Sequence, residues 1–287
     1  MVATALIGLS IAMLLFLLAA GLTLVFGMLG VINFAHGAIY MLGAFGAFEV
    51  YRTTGSFWLA LVVAPIVVAL IGAAMEVVLL RPLYDRDHVE QLLMTFGAIL
   101  VIEEAVRMVW GLGYRDLPLP SALEGSVPVL GDQVAVYRLF LLAAGTAVGA
   151  GLFLLIEKTR LGMVLRAAMS YPTMVRALGI RVDRVRTIVF AVGAALAALA
   201  GAIAAPIVPI QVGMSFTIIV DCFVVVILGG LGNIRGAIAA AILLGLVQAF
   251  GQHYFPSWIE VVTYVVLIGV LLIRPQGLFS AAPARKA

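Results

Sequence analysis

The apolar positions of this chain fall into long unbroken runs, with little of the alternation of a half-buried strand or the polar stripe of a surface helix. Residues 5–27 carry no charged side chain, and a helix of that length rises about 34 Å, enough to cross a hydrocarbon core of about 30 Å. Further runs follow at 34–50, 57–80, 92–110, 136–156, 187–208, 217–230, 236–252 and 259–273, each read as a membrane helix. The pattern predicts an all-α, polytopic transmembrane helix bundle of about eight or nine spans, with one or two broken or half-length segments. Those are expected around Gly229, Gly230 and Gly232, because a 14-residue run reaches only about 21 Å.

Polar residues between the runs set the orientation. Residues 157–186 hold Lys158, Arg160, Arg166, Arg176, Arg181, Arg184 and Arg186 against Glu157 and Asp183, so the positive-inside rule makes this loop cytoplasmic. Residues 111–135 hold one arginine against Asp116, Glu124 and Asp132, with Pro118, Pro120 and Pro128, and belong outside. Counting outward puts 81–90 and 274–287 in the cytoplasm and the amino terminus outside. No charge precedes Glu49, so the start lacks the basic region of a signal peptide and is expected to stay as a membrane helix. Every piece outside the membrane is smaller than a usual domain of about 50 residues, so 1–287 reads as one transmembrane domain.

Composition narrows the function. A chain that is 64% hydrophobic and 11% charged has more apolar side chains than a soluble core of its size buries. The net charge of +3 does not point to a nucleic acid, since the arginines gather in one loop. Cys222 is the only cysteine, which excludes an intrachain disulfide and reads as packing. Lys158-Thr159 follows Glu157 with no glycine-rich loop before it, so the chain lacks a P-loop. No metal-ligand spacing and no Gly-x-Ser-x-Gly occurs. No catalytic residue, metal or cofactor of its own is therefore expected.

Ionisable groups inside apolar spans cost about 2.5–3.5 kcal/mol at a helix centre, so each asks for a partner or a wet cavity. Glu76, Glu103, Glu104, Arg107 and Asp221 qualify, with Asn33 and His36 as polar company. Glu103 and Glu104 precede Arg107 at a spacing that allows an ion pair. Asp221, with no cation near it in sequence, is either a pathway group or a packing one. Asn33 is expected to cap the helix after it, alone or with free N–H groups that receive a carboxylate. His36 is either a hydrogen-bonded packing residue or a proton carrier. Small residues recur every four positions at Gly193, Ala197, Gly201 and Ala205 and at Gly232, Gly236 and Ala240, faces suited to close helix contact within the chain or with a partner. Phe26-Gly27-Met28-Leu29-Gly30-Val31-Ile32 shares its Gly, Leu, Gly and Ile offsets with Leu228-Gly229-Gly230-Leu231-Gly232-Asn233-Ile234, either a repeat flanking a solute site or coincidence. In the basic loop, Ser170 reads as a helix cap, Pro172 as first turn and Gly179 as the stop. A short basic helix there serves docking, topology or both.

Six fragments then occur in order: Ile32-Asn33-Phe34-Ala35-His36-Gly37, Arg81-Pro82-Leu83, Thr159-Arg160-Leu161-Gly162 with Arg166-Ala167, Ala177-Leu178-Gly179-Ile180, Leu228-Gly229-Gly230-Leu231-Gly232 and Pro275-Gln276-Gly277-Leu278. In this the chain resembles the LivH-type permeases, membrane subunits of branched-chain amino acid ABC importers. The resemblance implies a bacterial inner-membrane subunit that pairs with a homologous second permease. It also implies two cytoplasmic ATPase subunits, which bind the ATP and Mg, and a periplasmic solute-binding protein. It assigns ATPase coupling to Arg160, Leu161, Gly162, Arg166, Ala167, Pro172, Arg176, Ala177, Leu178 and Gly179. The translocation pathway is expected at Asn33, His36, Glu76, Glu103, Asp221, Gly229, Gly230 and Gly232. The chain departs from the family at Ser170-Tyr171-Pro172, where acidic or amide residues are frequent, and at Asn233-Ile234-Arg235, which replaces a common Ser-Ile-Pro. The family also serves urea, short amides and organic acids, so the cargo is left open. The competing reading is an autonomous secondary transporter or channel; a membrane enzyme lacks a catalytic constellation.

Overall fold

The first apolar run folds as one helix, α1 (Val2–Leu29), and every residue from 15 to 25 is buried. A helix that is apolar on all sides has no preferred outer face, and α1 sits at the centre of the bundle. The computed structural model describes residues 1–274 and 277. Ten more α-helices follow among these: α2 (His36–Thr54), α3 (Phe57–Met75), α4 (His88–Trp110), α5 (Val136–Lys158), α6 (Arg160–Ser170), α7 (Pro172–Ala177), α8 (Val182–Ala204), α9 (Met214–Gly229), α10 (Ile234–Tyr254) and α11 (Ile259–Ile273). Nine of the eleven occupy the nine apolar runs. Helix α1, the α3 segment Phe57–Leu83, α5, α8 and α10 are long and apolar enough to cross a membrane. Helix α9 has 16 residues, about 24 Å, and is the half-length segment expected. The chain is thus a multi-pass membrane protein.

Helix α1 packs on α10, α8, α5 and α9, and α8 packs on α2 and α3. Glycines set these distances. A Cβ on Gly21 would lie 2.6 Å from the Gly193 carbonyl oxygen, and one on Gly193 would lie 2.9 Å from that of Gly21. The Gly193–Ala205 stripe therefore serves packing inside the chain, bringing α8 against α1 and α2.

Residues 111–135, expected as a loop, contain a hairpin of β1 (Ser126–Val129) and β2 (Asp132–Ala135), antiparallel with Val127 opposite Val134. Asp132 accepts a hydrogen bond from the Ala3 backbone at 3.0 Å. That bond, then the amino terminus, holds its carboxyl below the ordinary 3.8. A lowered carboxylate pKa stabilises the folded state above the unfolded value. The tether should therefore persist at neutral pH and fail only as the pH drops through the lowered value, which hydrogen exchange of the Ala3 amide would show.

At the opposite end, the basic segment corrects one expectation. Ser170 does not cap a helix; it is the last residue of α6, and α7 starts after Tyr171 with no side-chain cap. The reason is that the residues before it are themselves helical, burying Gly162, Leu165 and Ala168. Pro172 does open α7, and Gly179 ends the segment with φ 79°. The working cap is Thr159, whose hydroxyl accepts from the Gly162 amide at 3.1 Å. We expect Thr159→Ala to cost about 1 kcal/mol of α6 stability and Ser170→Ala to change nothing, as read by hydrogen exchange across α6. Of the Pro275-Gln276-Gly277-Leu278 motif only Gly277 lies within the described residues. A Cβ there would be 2.6 Å from the Ile227 carbonyl oxygen and 2.9 Å from the Gly230 nitrogen.

Candidate functional site

Two glycine breaks meet where the end of α1 faces the turn before α10. Helix α1 stops where Gly30 turns left-handed, with φ 69° and its N–H donating to Phe26. Helix α9 stops at Gly230, φ 91°, and Gly232 follows with φ 79°; such values favour glycine. Asn233 then caps α10, accepting from the Gly236 amide at 3.1 Å. A Cβ on Gly232 would lie 3.5 Å from the Gly27 Cα. The two look-alike segments are thus neighbours, and each is a helix, a glycine break and a new helix.

The first break carries buried polar atoms. Asn33 is fully buried, and among the described residues neither polar atom of its amide has a hydrogen-bond partner. The expected cap is corrected here: α2 starts after Ala35 with no side-chain cap, because the Asn33 backbone carbonyl, not its amide, accepts from His36 at 3.2 Å. His36, also fully buried, places Nε2 3.0 Å from the Leu18 carbonyl, while Nδ1 and the Thr23 hydroxyl have no partner among the described residues. Leaving such groups unpaired costs about 1–3 kcal/mol each, so sites of this kind ask for a water, a solute or a second conformation. Phe34 wedges the break against Phe223 and Phe96, with centroids 4.9 and 6.4 Å away.

Toward the hairpin end, Glu103 accepts from the Ser215 hydroxyl and Glu104 pairs with Arg107. A depression of about 460 Å³ opens over Leu100, Val101, Glu103, Glu104, Arg107 and Val212. Ser215, not singled out from the sequence, also belongs to the wall behind the break. Its residue packs on Gly37, where a Cβ would meet the Ser215 carbonyl and lie 2.9 Å from the Ile219 Cβ. Asp221, half-buried on α9, has an interaction within the protein.

Glu76 lies at the α6–α7 end, between α3 and α8. It has no exposed surface and accepts from Arg81 Nη2 at 2.9 Å, Tyr84 at 2.7 Å and Thr187 at 2.7 Å. Burial, then the bond to Glu76, raises the Tyr84 phenol above its ordinary value. A π-helical turn, Glu76–Leu80, continues α3 at this point. Such turns re-aim side chains that a regular helix would direct elsewhere.

The basic segment divides into an anchored part and a free part. Gly162 is buried at the α5–α6 corner, where a Cβ would sit 2.5 Å from the Leu155 carbonyl oxygen, and Ala167 is half-buried. Arg166, although exposed, is tied down, donating to the Ile156 carbonyl and lying 3.8 Å from Glu157. Glu157 also accepts from Arg235 at 3.0 Å, so one carboxylate joins α6 to the start of α10. A cavity of about 270 Å³ lies beside it, lined in part by Thr23, Met169 and Gly232. The sequence offers Glu157 only as an acid of the basic loop, although Arg235 marks the family departure that pairs with it. By contrast Arg160, Leu161, Pro172, Arg176, Ala177, Leu178 and Gly179 are exposed, Leu178 at 79%.

Residues 4–271 match the family described as "Branched-chain amino acid transport system / permease component". The chain is 30% identical over 296 residues to the high-affinity branched-chain amino acid transport system permease protein BraD of Pseudomonas aeruginosa, covering 97% of this chain and 95% of that one. It is 30% identical to LivH of Escherichia coli K12, over 94% of this chain and 92% of that one. LivM of the same strain is 26% identical over 94% of this chain and 68% of its own length, so one transport system contains two permease proteins similar to it. No solved structure matches. These relatives are transport subunits rather than enzymes, and with a match that runs through both glycine breaks and the basic segment, the chain belongs to the family of permease components of branched-chain amino acid transport systems.

Proposed function

We propose that this chain is one of two homologous permease subunits of an ABC importer for branched-chain or related amino acids, amides or small organic acids in the bacterial inner membrane. The hairpin end faces the periplasm, where a solute-binding protein delivers cargo. The α6–α7 end faces the cytoplasm and docks two ATPase subunits, which carry the ATP and Mg. The solute passes beside the glycine breaks, where Asn33 and His36 keep unpaired polar atoms, with Glu103 and Asp221 toward the hairpin end and Gly229, Gly230 and Gly232 forming the turn. Glu76 contributes by fixing the wall at the α6–α7 end.

The observation that carries this reading is the free part of the basic segment. Met174 and Leu178 are 69% and 79% exposed on either side of Arg176. Apolar side chains presented beside a cation, outside the apolar spans, are what a partner protein covers. Arg166, held against Glu157, transmits the movement toward Arg235 and the α9–α10 turn.

The test is a double substitution, Arg176→Glu with Leu178→Asp, in the transporter reconstituted with its ATPases and binding protein. Two interface anchors worth about 2 kcal/mol each together weaken ATPase binding roughly a thousandfold, so ATP-driven uptake should be lost while membrane insertion persists. Undiminished uptake would refute the docking assignment. Accumulation of solute by the chain alone, under an ion gradient without any ATPase, would replace the whole reading with an autonomous transporter.

A further inference from the structure

Helix α4 differs from the other peripheral helices in what it exposes. It meets the bundle chiefly through α2, and one stripe of it runs through exposed Leu93, half-buried Gly97, exposed Leu100, half-buried Glu104 and exposed Arg107. Those positions are spaced four, three, four and three, the repeat of a seam that receives another helix. Glu104 and Arg107 are paired, yet their side chains are 44% and 49% exposed. Glu104 lies six residues before the last residue of α4, about 9 Å along the axis, which on the reading of 92–110 as a membrane span is well within that span. Nothing lies within 4 Å of the Cβ position of Gly97, a notch of the kind that lets two membrane helices approach. An apolar groove of about 780 Å³ runs beside it, between α4 and the end of α3, with Met75 and Leu79 on its far wall.

Helix α3 shows what a lipid face looks like in the same protein. Val62 and Ile66 are 56% and 57% exposed, and no charged residue occurs anywhere in Phe57–Met75. Lipid tails suit that face. They do not suit an ion pair half-open to them, since a charged side chain at that depth turns inward to protein or to a wet cavity.

We propose that the α4 stripe is the contact face for the second permease subunit, with the Glu103, Glu104 and Arg107 depression lying on the seam between the two. The inference rests on the reading of this chain as half of a permease pair. It commits to a homologous partner rather than to lipid because the exposed charges come as opposite signs one turn apart, which a polar wall at a seam satisfies and hydrocarbon does not. Two proteins of one relative's transport system resemble this chain. A pair of similar folds about a pseudo-twofold axis therefore places corresponding surfaces together.

Photo-crosslinking in the complete transporter decides the matter. The photoreactive residue p-benzoylphenylalanine is placed singly at Leu93, Leu100 and Met108 on α4, and at Val62 and Ile66 on α3. Irradiation should shift the α4 variants to a band of the summed mass of the two permeases, identified by peptide mass, while the α3 variants gain only lipid. The proposal is overturned if the α4 variants gain only lipid, or join a second copy of this chain, in a complex that still contains the second permease and the ATPases. That outcome leaves the function standing. If no second permease co-purifies with the ATPases, the function reading fails, and the seam falls with it.

Discussion

Glu76→Ala is expected to lower the stability of the protein by about 3–5 kcal/mol, the range for removing one partner of a buried ion pair. Glu76 is fully buried at the end of α3 and gathers three donors from separate places. Thr187 lies on α8, so the carboxylate ties two packed helices as well as the turn after α3. Without it, the Tyr84 hydroxyl loses its acceptor and the Arg81 guanidinium its countercharge, Arg81 keeping only its bond to the Thr187 hydroxyl at 2.6 Å. The Arg81 side chain is 36% exposed, so solvent relieves part of its charge and the loss belongs at the lower end of the range. Glu76→Gln keeps one acceptor oxygen and should lose less. Replacing the pair together, as Glu76→Leu with Arg81→Met, should recover part of the loss, because no charge is then stranded. Thermal melting of the detergent-solubilised protein measures all three; a shift for Glu76→Ala no larger than that of a surface alanine would sink the account.

The distribution of what was legible follows from what the chemistry encodes locally. The nine runs became helices within a few residues of where the sequence puts them, because hydrocarbon demands internal pairing of every backbone group and leaves little else for an apolar run to do. The shortness of α9 was legible from length alone. Caps were less so: Asn33 and Ser170 have the right chemistry for a cap, but whether the neighbouring residues join the preceding helix depends on burial of Gly162, Leu165 and Ala168, a tertiary fact. The partners of ionisable groups were legible only at helical spacing. Glu104 with Arg107 is three residues apart, whereas Thr187 is 111 residues from Glu76, Ser215 is 112 from Glu103 and Arg235 is 78 from Glu157. Those pairs depend on which helices pack together. Among the candidate pathway residues, the structure buries Asn33 and His36 beside α1, sets the glycine turn against the end of α1 and places Glu76 between α3 and α8, positions that no spacing along the chain announces.

Gly201→Leu should abolish the folded protein, while Gly97→Leu should leave it folded but without its second permease. Both are glycines in the interior of an α-helix, and both substitutions raise intrinsic helix propensity by up to about 1 kcal/mol; their surroundings decide the outcome. At Gly201 the first added carbon would strike the Tyr40 carbonyl oxygen and lie 3.1 Å from the Ala44 nitrogen. These are backbone atoms of α2 that cannot rotate away, so α8 and α2 must separate along one of the larger helix contacts of the bundle. Overpacking against movable side chains costs about 1–3 kcal/mol, occasionally more, and a contact with fixed backbone belongs above that range. At Gly97 the same carbon meets open space, so the isolated chain should melt at or above its original temperature. The added side chain fills the notch through which a partner helix would approach, and co-purification of the second permease should fall with no loss of folded protein. The two readouts separate the causes: a Gly97→Leu chain that unfolds contradicts the packing described for α4, and one that folds and still holds its partner contradicts the seam. Gly201→Leu protein that melts normally would mean that α2 and α8 do not touch where the glycine lies.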